Sequence, residues 1–141
     1  MTEEATRVLL ASREDVWALV AEPFHLPDWW PGYTGVEPDR RGLAENARWT
    51  VVRSRRPGFV RRPHGSGLIL IHLVAPAREL SWHDLAQRLD MGLRLEDEGG
   101  QTKATAWVSG ARWRLLAEGA RSLPPQALAR LHDLCQTASS L

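Results

Sequence analysis

The chain has 141 residues, 43% of them hydrophobic and 25% charged, and its formal net charge is +1. That length suits one domain over residues 1–141, and no apolar run approaches the roughly 20 residues needed to span a bilayer. The balanced charge argues against nucleic acid as a partner, and the single cysteine, Cys135, excludes an intramolecular disulfide and any multi-cysteine metal site.

The N-terminal part of the chain predicts one strand followed by two short helices. Residues 6–11 form the strand, and Ser12 begins a capping pattern with a carboxylate three residues later. The first helix must end near Glu22 because a proline follows. The second helix covers residues 24–30 and ends at the Pro-Gly pair after it. The buried stripe of the first helix consists of Val16, Trp17 and Val20.

Six further segments have the two-residue period of strands. The clearest places Leu89, Met91 and Leu93 on one face and charged residues on the other. Short turns join the segments, so neighbouring strands must run antiparallel, and their single apolar face needs a cover. The six segments are residues 33–37, 47–53, 67–74, 79–84, 89–96 and 102–108.

Helical periodicity returns after the last of these strands. A stripe runs through Trp113, Leu116 and Ala120, and Pro124 then opens a final helix of roughly 15 residues, about 22 Å long at 1.5 Å per residue. Only this helix is long enough to cross a sheet. The order of elements therefore predicts an α+β fold in which seven antiparallel strands pack against a C-terminal helix.

Four stretches carry a resemblance to a known superfamily, namely residues 11–20, 26–31, 76–82 and 99–105. The first is a strand end followed by a capped helix with a Val-Trp pair, and the second has the leucine, tryptophan and proline pattern of a second short helix. The chain resembles the START and birch-pollen-allergen-like helix-grip superfamily (SRPBCC), especially its bacterial polyketide cyclase/dehydratase and lipid-transport branch. This resemblance implies a curved antiparallel seven-stranded sheet wrapped around a C-terminal helix, with two short helices after strand 1 and a ligand cavity between sheet and helix.

Side chains on the buried faces are the candidates for lining that cavity. Adjacent residues diverge by about 100° on a helix, so we expect Trp29 and Trp30 either to divide between core and surface or to place at least one ring at the cavity. Ala104 and Ala106 leave volume beneath the final helix, whereas Trp107 has the opposite parity and is expected outside. The candidate ligand-binding residues are Trp29, Trp30, Trp49, Ile71, Trp82, Met91, Ala104, Ala106, Leu128 and Leu131.

Asp84 and His72 are the candidate catalytic residues, each as an acid or base in the cavity. Asp84 shares the face of Trp82 and lies either in the cavity or at a solvated strand end. His72 lies in an apolar strand, where a purely structural role is the alternative. His83 is adjacent to Asp84 on a strand, so the two side chains point to opposite faces and cannot form a dyad. No histidine has metal-ligand spacing, and the sequence predicts neither a metal nor a cofactor.

Residues 53–65 form the most distinctive segment, with five arginines, two prolines and two glycines. This composition predicts a long polar connection between two strands. Three interpretations fit it: a solvated loop, a lid that contacts an anionic ligand head group, or a contact with nucleic acid or an acidic protein surface.

Three functions fit these features. The first is binding of a small hydrophobic or aromatic molecule, lipids included, in the cavity between the sheet and the C-terminal helix. The alternative is a polyketide cyclase/dehydratase-like enzyme that uses the same cavity, and the second alternative is a non-catalytic protein-interaction module. The acidic N-terminus lacks the regions of a secretory signal, so we expect a cytoplasmic protein. The apolar strand at residues 67–74 would tolerate cover on both faces, which leaves homodimerisation open.

Overall fold

Strands contribute more residues to the fold than helices do. The computed structural model describes residues 1–53 and 66–139, apart from the side chains of Ser66, Ala138 and Ser139. The strands in these residues are β1 (Thr2–Leu9), β2 (Tyr33–Glu37), β3 (Arg48–Arg53), β4 (Ser66–Ala75), β5 (Glu79–Asp84), β6 (Leu89–Glu98) and β7 (Gln101–Ser109). They form one antiparallel sheet in the spatial order β1-β7-β6-β5-β4-β3-β2. The predicted seven-stranded antiparallel sheet is confirmed.

Two short helices and a 3-10 helix connect β1 to β2. The first, α1 (Arg13–Val20), begins after Ser12, whose hydroxyl accepts a hydrogen bond from the backbone N–H of Asp15 at 3.2 Å. The capping pattern predicted for this helix is confirmed. The 3-10 helix (Pro23–His25) follows, and α2 (Leu26–Trp29) comes directly after it.

The strand pairings define two faces of the sheet. Residues directly opposite in neighbouring antiparallel strands share a face, and Trp82 in β5 pairs with Met91 in β6, which pairs with Val108 in β7. All three side chains are buried, and we call their face the inner face. On the outer face, the indole of Trp107 lies over Gly92, where an added Cβ would come within 2.6 Å of Trp107 Cζ2. The outward position expected for Trp107 is confirmed.

The last helix, α4 (Leu123–Ser139), covers the inner face. It packs against β1 and β7, and Nη1 of Arg130 donates a hydrogen bond to the Pro27 carbonyl oxygen at 3.3 Å, which links α4 to α2. Its 17 residues extend roughly 26 Å at 1.5 Å per residue, enough to cross several strands spaced about 4.8 Å apart. The buried side of α4 includes Leu123, Ala127, Leu128, Leu131 and Cys135.

A short helix, α3 (Arg112–Ala117), precedes α4 and buries a different side from the one expected. The predicted stripe of Trp113, Leu116 and Ala120 is wrong for its first two residues, because the Trp113 and Leu116 side chains are 60% and 41% exposed, whereas Ala120 is buried. Leu115 is fully buried instead, and it lies about 200° around the helix from Trp113. The exposed indole packs against the guanidinium of Arg114, whose Cζ lies 4.4 Å from the ring centroid.

Candidate functional site

Three tryptophan rings pack against one another between α2 and the inner face. The ring centroid of Trp82 lies 5.9 Å from that of Trp29 and 5.0 Å from that of Trp30, and the centroids of Trp29 and Trp30 are 5.9 Å apart. Each pair is nearly perpendicular, with interplanar angles of 80° to 85°. This edge-to-face arrangement is favourable for aromatic rings. We call these three residues the tryptophan cluster.

The two adjacent tryptophans do not divide between core and surface. Trp29 and Trp30 are both fully buried, so the interpretation that placed one ring at the surface is wrong. The reason is that α2 ends at Trp29, and Trp30 has an extended backbone with φ −98° and ψ 113°. The angular spacing of a continuous helix therefore does not apply to this pair.

A hydrogen-bonded chain of polar groups adjoins the tryptophan cluster. Trp82 Nε1 donates to the Tyr33 hydroxyl oxygen at 3.0 Å, and this hydroxyl donates to Asp84 Oδ2 at 2.9 Å. Met91 Sδ lies 3.7 Å from the same hydroxyl. All four side chains are buried, so these hydrogen bonds hold a carboxylate and a phenol within an aromatic interior.

Asp84 lies in the interior rather than in solvent. Its side chain is 1% exposed, which rules out the interpretation of a solvated strand end. The chain turns back immediately after β5, and Oδ1 of Asp84 accepts hydrogen bonds from the backbone N–H groups of Ala86 and Gln87, each at 3.0 Å. Backbone donors on one oxygen and a phenol on the other stabilise a buried carboxylate in one fixed orientation.

The tryptophan cluster contains two polar groups without partners. Nε1 of Trp29 and Nε1 of Trp30 are inaccessible to solvent, and neither has a hydrogen-bond partner among residues 1–53 and 66–139. The neighbouring ring faces are only weak hydrogen-bond acceptors. Trp82 differs, because its N–H is occupied by Tyr33. The cluster therefore presents two orphaned donors next to a bonded carboxylate.

The remaining candidate ligand-binding residues are buried as well. Trp49 faces inward at β3, and its Nε1 donates to the Gly42 carbonyl oxygen at 2.9 Å, so this indole has its partner. Leu128 and Leu131 belong to the buried side of α4. The others, all on inner-face positions of the central strands, are Ile71, Met91, Ala104 and Ala106. These residues form one apolar core with the tryptophan cluster.

The histidines lie away from Asp84. His72 is exposed, at an irregularity in the pairing of β4 with β5. His83 points to the outer face, where its Nδ1 lies 2.9 Å from Asp90 Oδ1. The expectation that His83 and Asp84 point to opposite faces is confirmed. The structure therefore brings Asp84 into the buried cluster and leaves His72, the other candidate catalytic residue, outside it.

The thiol of Cys135 lies on the buried side of α4, with the side chain 5% exposed. Burial raises the pKa of this thiol, and the Asp15 carboxylate adds to the increase. In the described ranges, no three histidine, cysteine or acidic side chains come together as a metal site. None of the helices in those ranges combines the length and the apolar character needed to cross a membrane.

An open groove of about 470 Å³ lies on the surface beside the N-terminus of α1 and β6. Leu95 is its single apolar lining residue, and the other lining residues carry charges of both signs. None of the candidate site residues contributes to the groove. The charged lining residues are Arg13, Arg78, Glu79, Arg94, Glu96 and Asp97.

The sequence did not identify Tyr33, although it bridges Trp82 and Asp84 in the structure. Its place in the sequence could have identified it, because it is the chain's single tyrosine and directly follows the Trp-Trp-Pro-Gly turn. The arginine-rich segment predicted at residues 53–65 lies outside the described residues except for Arg53, the last residue of β3.

No protein-family model and no curated protein sequence matches this chain. Several solved structures of bacterial proteins do. XoxI from Bacillus cereus matches with a TM-score of 0.73 and 10% identity over 98% of this chain and 97% of its own. MLL2253 from Mesorhizobium loti matches with a TM-score of 0.70 and 19% identity, covering 97% of this chain and 98% of its own. Ms6760 from Mycobacterium smegmatis matches with a TM-score of 0.72 and 18% identity, covering 97% and 92%. At these identities the likeness shows a shared fold, an antiparallel sheet with a long C-terminal helix.

Proposed function

We propose that this protein binds a small hydrophobic molecule with an aromatic body at the tryptophan cluster, between the inner face and α4. We also propose that it belongs to the START-like helix-grip superfamily, in the polyketide cyclase/dehydratase and lipid-transport branch. Support comes from the agreement between the fold and the arrangement that the sequence resemblance implies. In that arrangement the ligand lies between the sheet and the C-terminal helix.

The observation that carries this proposal is the pair of orphaned donors on Trp29 and Trp30. A buried donor without a partner destabilises a protein by about 1–3 kcal/mol. Phenylalanine would bury a comparable ring without that penalty. A ligand oxygen placed between the two indoles would satisfy the N–H groups, which gives the tryptophans a role that phenylalanine does not have. We therefore expect the ligand to carry a carbonyl or ether oxygen next to its apolar rings.

The rings of the cluster contact one another, so binding requires one of them to move. Trp29 and Trp30 lie at the end of α2, a helix of only four residues that packs against β2 and α4. Trp82, in contrast, is fixed in the middle of the sheet by pairing on both sides. We expect α2 to shift outward when a ligand enters, and Trp82 to keep its position.

A titration with 2-acetylnaphthalene, 2-naphthol and dodecanol tests the proposal. Binding is followed through the melting temperature and tryptophan emission, and a ligand at 100 times its Kd stabilises the folded state by about 2.7 kcal/mol. Trp29→Phe and Trp30→Phe should each weaken binding of 2-acetylnaphthalene. Trp113→Phe is the matched control, because that indole is exposed. No change with any compound, or an equal effect of Trp113→Phe, would overturn the proposal and favour a protein-interaction module.

A second candidate function is acid–base catalysis of the cyclase/dehydratase type, and the burial of Asp84 favours it. Acting as a base, the Asp84 carboxylate would take a proton from a ligand carbon next to a carbonyl group. The electron pair of the broken C–H bond would move to the carbonyl oxygen, and the two orphaned indole N–H groups would stabilise the resulting enolate.

Proton exchange tests this second function without knowledge of the natural substrate. The methyl protons of 2-acetylnaphthalene are followed by NMR in D₂O, where proton removal leads to loss of their signal. Asp84→Asn should slow the exchange, whereas Asp90→Asn should not, because Asp90 is 56% exposed on the outer face. Equal rates in the wild type and Asp84→Asn would remove catalysis from consideration and leave binding untouched.

A further inference from the structure

Arg53 is the charged residue of the inner face at the end of β3. Side chains alternate along a strand, and Trp49 and Val51, two and four positions earlier, are buried on that face. Arg53 pairs across the sheet with Tyr33, the residue whose hydroxyl bonds Asp84. The Arg53 side chain therefore lies on the inner face next to Tyr33.

The guanidinium is buried at two of its nitrogen atoms. Nε and Nη1 of Arg53 have no accessible surface, and neither has a hydrogen-bond partner within the described parts of the chain. A buried charged donor without a partner is more costly than a neutral one, since the desolvation of the charge is not offset. The N–H groups of Arg53 are thus prepared for an acceptor that comes from outside these residues.

Gly67 and Ala86 lie beside the guanidinium of Arg53. Gly67 in β4 faces the guanidinium, and a Cβ added there would lie 3.4 Å from Arg53 Nη1 and 3.9 Å from Ala86 Cβ. A larger side chain at Gly67 would crowd the nitrogen. Ala86 belongs to the turn that binds Asp84 through its backbone N–H. Arg53, Gly67 and the turn that follows Asp84 therefore lie close together.

We propose that Arg53 binds a carboxylate on the ligand, whose aromatic body packs at the tryptophan cluster. This inference rests on the proposed binding function and adds the class of ligand, an aromatic carboxylic acid. A carboxylate matches the planar guanidinium, whose N–H groups can donate two parallel charge-assisted hydrogen bonds to its two oxygens.

A matched pair of compounds tests the charge requirement. 2-Naphthoate and 2-naphthamide have the same rings, and differ in the anionic group. Isothermal titration at pH 7 should show that the wild type binds the acid about tenfold more tightly, since a charge-assisted hydrogen bond contributes on the order of 1.5 kcal/mol or more. Arg53→Gln should abolish this preference and keep the affinity for the amide, which also reports that the variant is folded.

Arg48→Gln is the control variant, because Arg48 lies on the same strand with the opposite parity and is exposed. It should keep the preference for the acid. Equal binding of acid and amide by the wild type, or a preference that survives in Arg53→Gln, would overturn the role of Arg53 and leave the binding function standing. If neither compound binds, the binding function itself fails, and the role of Arg53 fails with it.

Discussion

The Tyr33 hydroxyl joins Asp84 across 2.9 Å, although the two residues are 51 positions apart in the chain. Tyr33 begins β2 and Asp84 ends β5, so the bond spans the inner face between two non-neighbouring strands. The same hydroxyl accepts the Trp82 N–H, which makes it the link between the carboxylate and the tryptophan cluster. The polar part of the site is therefore organised by one phenol.

Replacing Tyr33 with phenylalanine tests that link. The substitution removes a donor from Asp84 Oδ2 and an acceptor from Trp82 Nε1, both in a buried region. Loss of partners for buried polar groups costs about 1–3 kcal/mol each, so we expect Tyr33→Phe to lower the free energy of unfolding by at least 1 kcal/mol. Urea denaturation measures this loss of stability as a decrease in the urea concentration at the unfolding midpoint.

The matched control for this experiment is Thr34→Val. Thr34 follows Tyr33 on β2, is exposed, and makes a long 3.5 Å contact from its hydroxyl to the Val52 carbonyl oxygen. A surface change of this kind alters stability by less than about 0.5 kcal/mol. A Tyr33→Phe midpoint equal to that of Thr34→Val would contradict the importance of the phenol.

Gly92→Ala tests the packing of Trp107 on the outer face. An added Cβ would come within 2.6 Å of the Trp107 ring and 2.8 Å of the Leu80 carbonyl oxygen, so the sheet must distort locally. Overpacking typically destabilises by about 1–3 kcal/mol. We expect Gly92→Ala to lower the free energy of unfolding by about that amount, and therefore to unfold at a lower urea concentration than the wild type.

Gly35→Ala provides the comparison for Gly92→Ala. Gly35 also lies in a strand, but a Cβ there would make an ordinary contact of 3.5 Å with the Val52 side chain. Because there is space for a methyl group at this position, the stability of Gly35→Ala should stay close to that of the wild type. If the two variants unfold together, Trp107 does not pack over Gly92 as described.

Cys135 makes the stability of the fold depend on alkaline pH. Burial raises the pKa of its thiol above the ordinary value of 9.0, with the Asp15 carboxylate adding to the increase. The unfolded chain therefore loses this proton first as the pH rises, and the native state is progressively destabilised. The stability that the protonated Cys135 thiol contributes is fully present below pH 9.0 and is lost as the pH rises through the pKa of the thiol in the folded protein.

Comparison with Cys135→Ala isolates this effect from other alkaline titrations. The free energy of unfolding of both proteins is measured at several pH values below and above 9.0. The alanine variant should be less stable at neutral pH, because it loses packing in the core, yet its stability should fall less steeply above that value. Parallel pH profiles would show that the thiol is not shielded from ionisation.

The strands were predictable because alternation in the sequence reports a sheet with one buried face. The bounds of β2 and β5 agree with the prediction, and those of β6 and β7 differ by at most two residues at either end. β1 is the exception, since it starts at Thr2 rather than residue 6. The additional residues of β1 pair with β7, beginning with Thr2 opposite Ser109. Because these partners are far apart in the sequence, the local hydrophobic pattern does not reveal the pairing.

The candidate site was predictable in its apolar part and not in its polar part. Parity placed Trp82 and Met91 on the inner face correctly, because each follows from the strand it lies in. The bond from Tyr33 to Asp84 depends on where β2 and β5 lie in the sheet, and no local pattern contains that information. Trp30 was misjudged for a related reason, since the end of α2 fell one residue earlier than a continuous helix requires.

The indole N–H groups of Trp29 and Trp30 provide the most direct test of ligand binding at the tryptophan cluster. A ¹H–¹⁵N spectrum of the wild type contains one indole signal for each of the 7 tryptophans, and single Trp→Phe variants assign them. On titration with 2-acetylnaphthalene, the Trp29 and Trp30 signals should move downfield as they acquire a carbonyl acceptor, while the exposed Trp113 signal stays in place. Stationary Trp29 and Trp30 signals at saturating ligand would contradict the account.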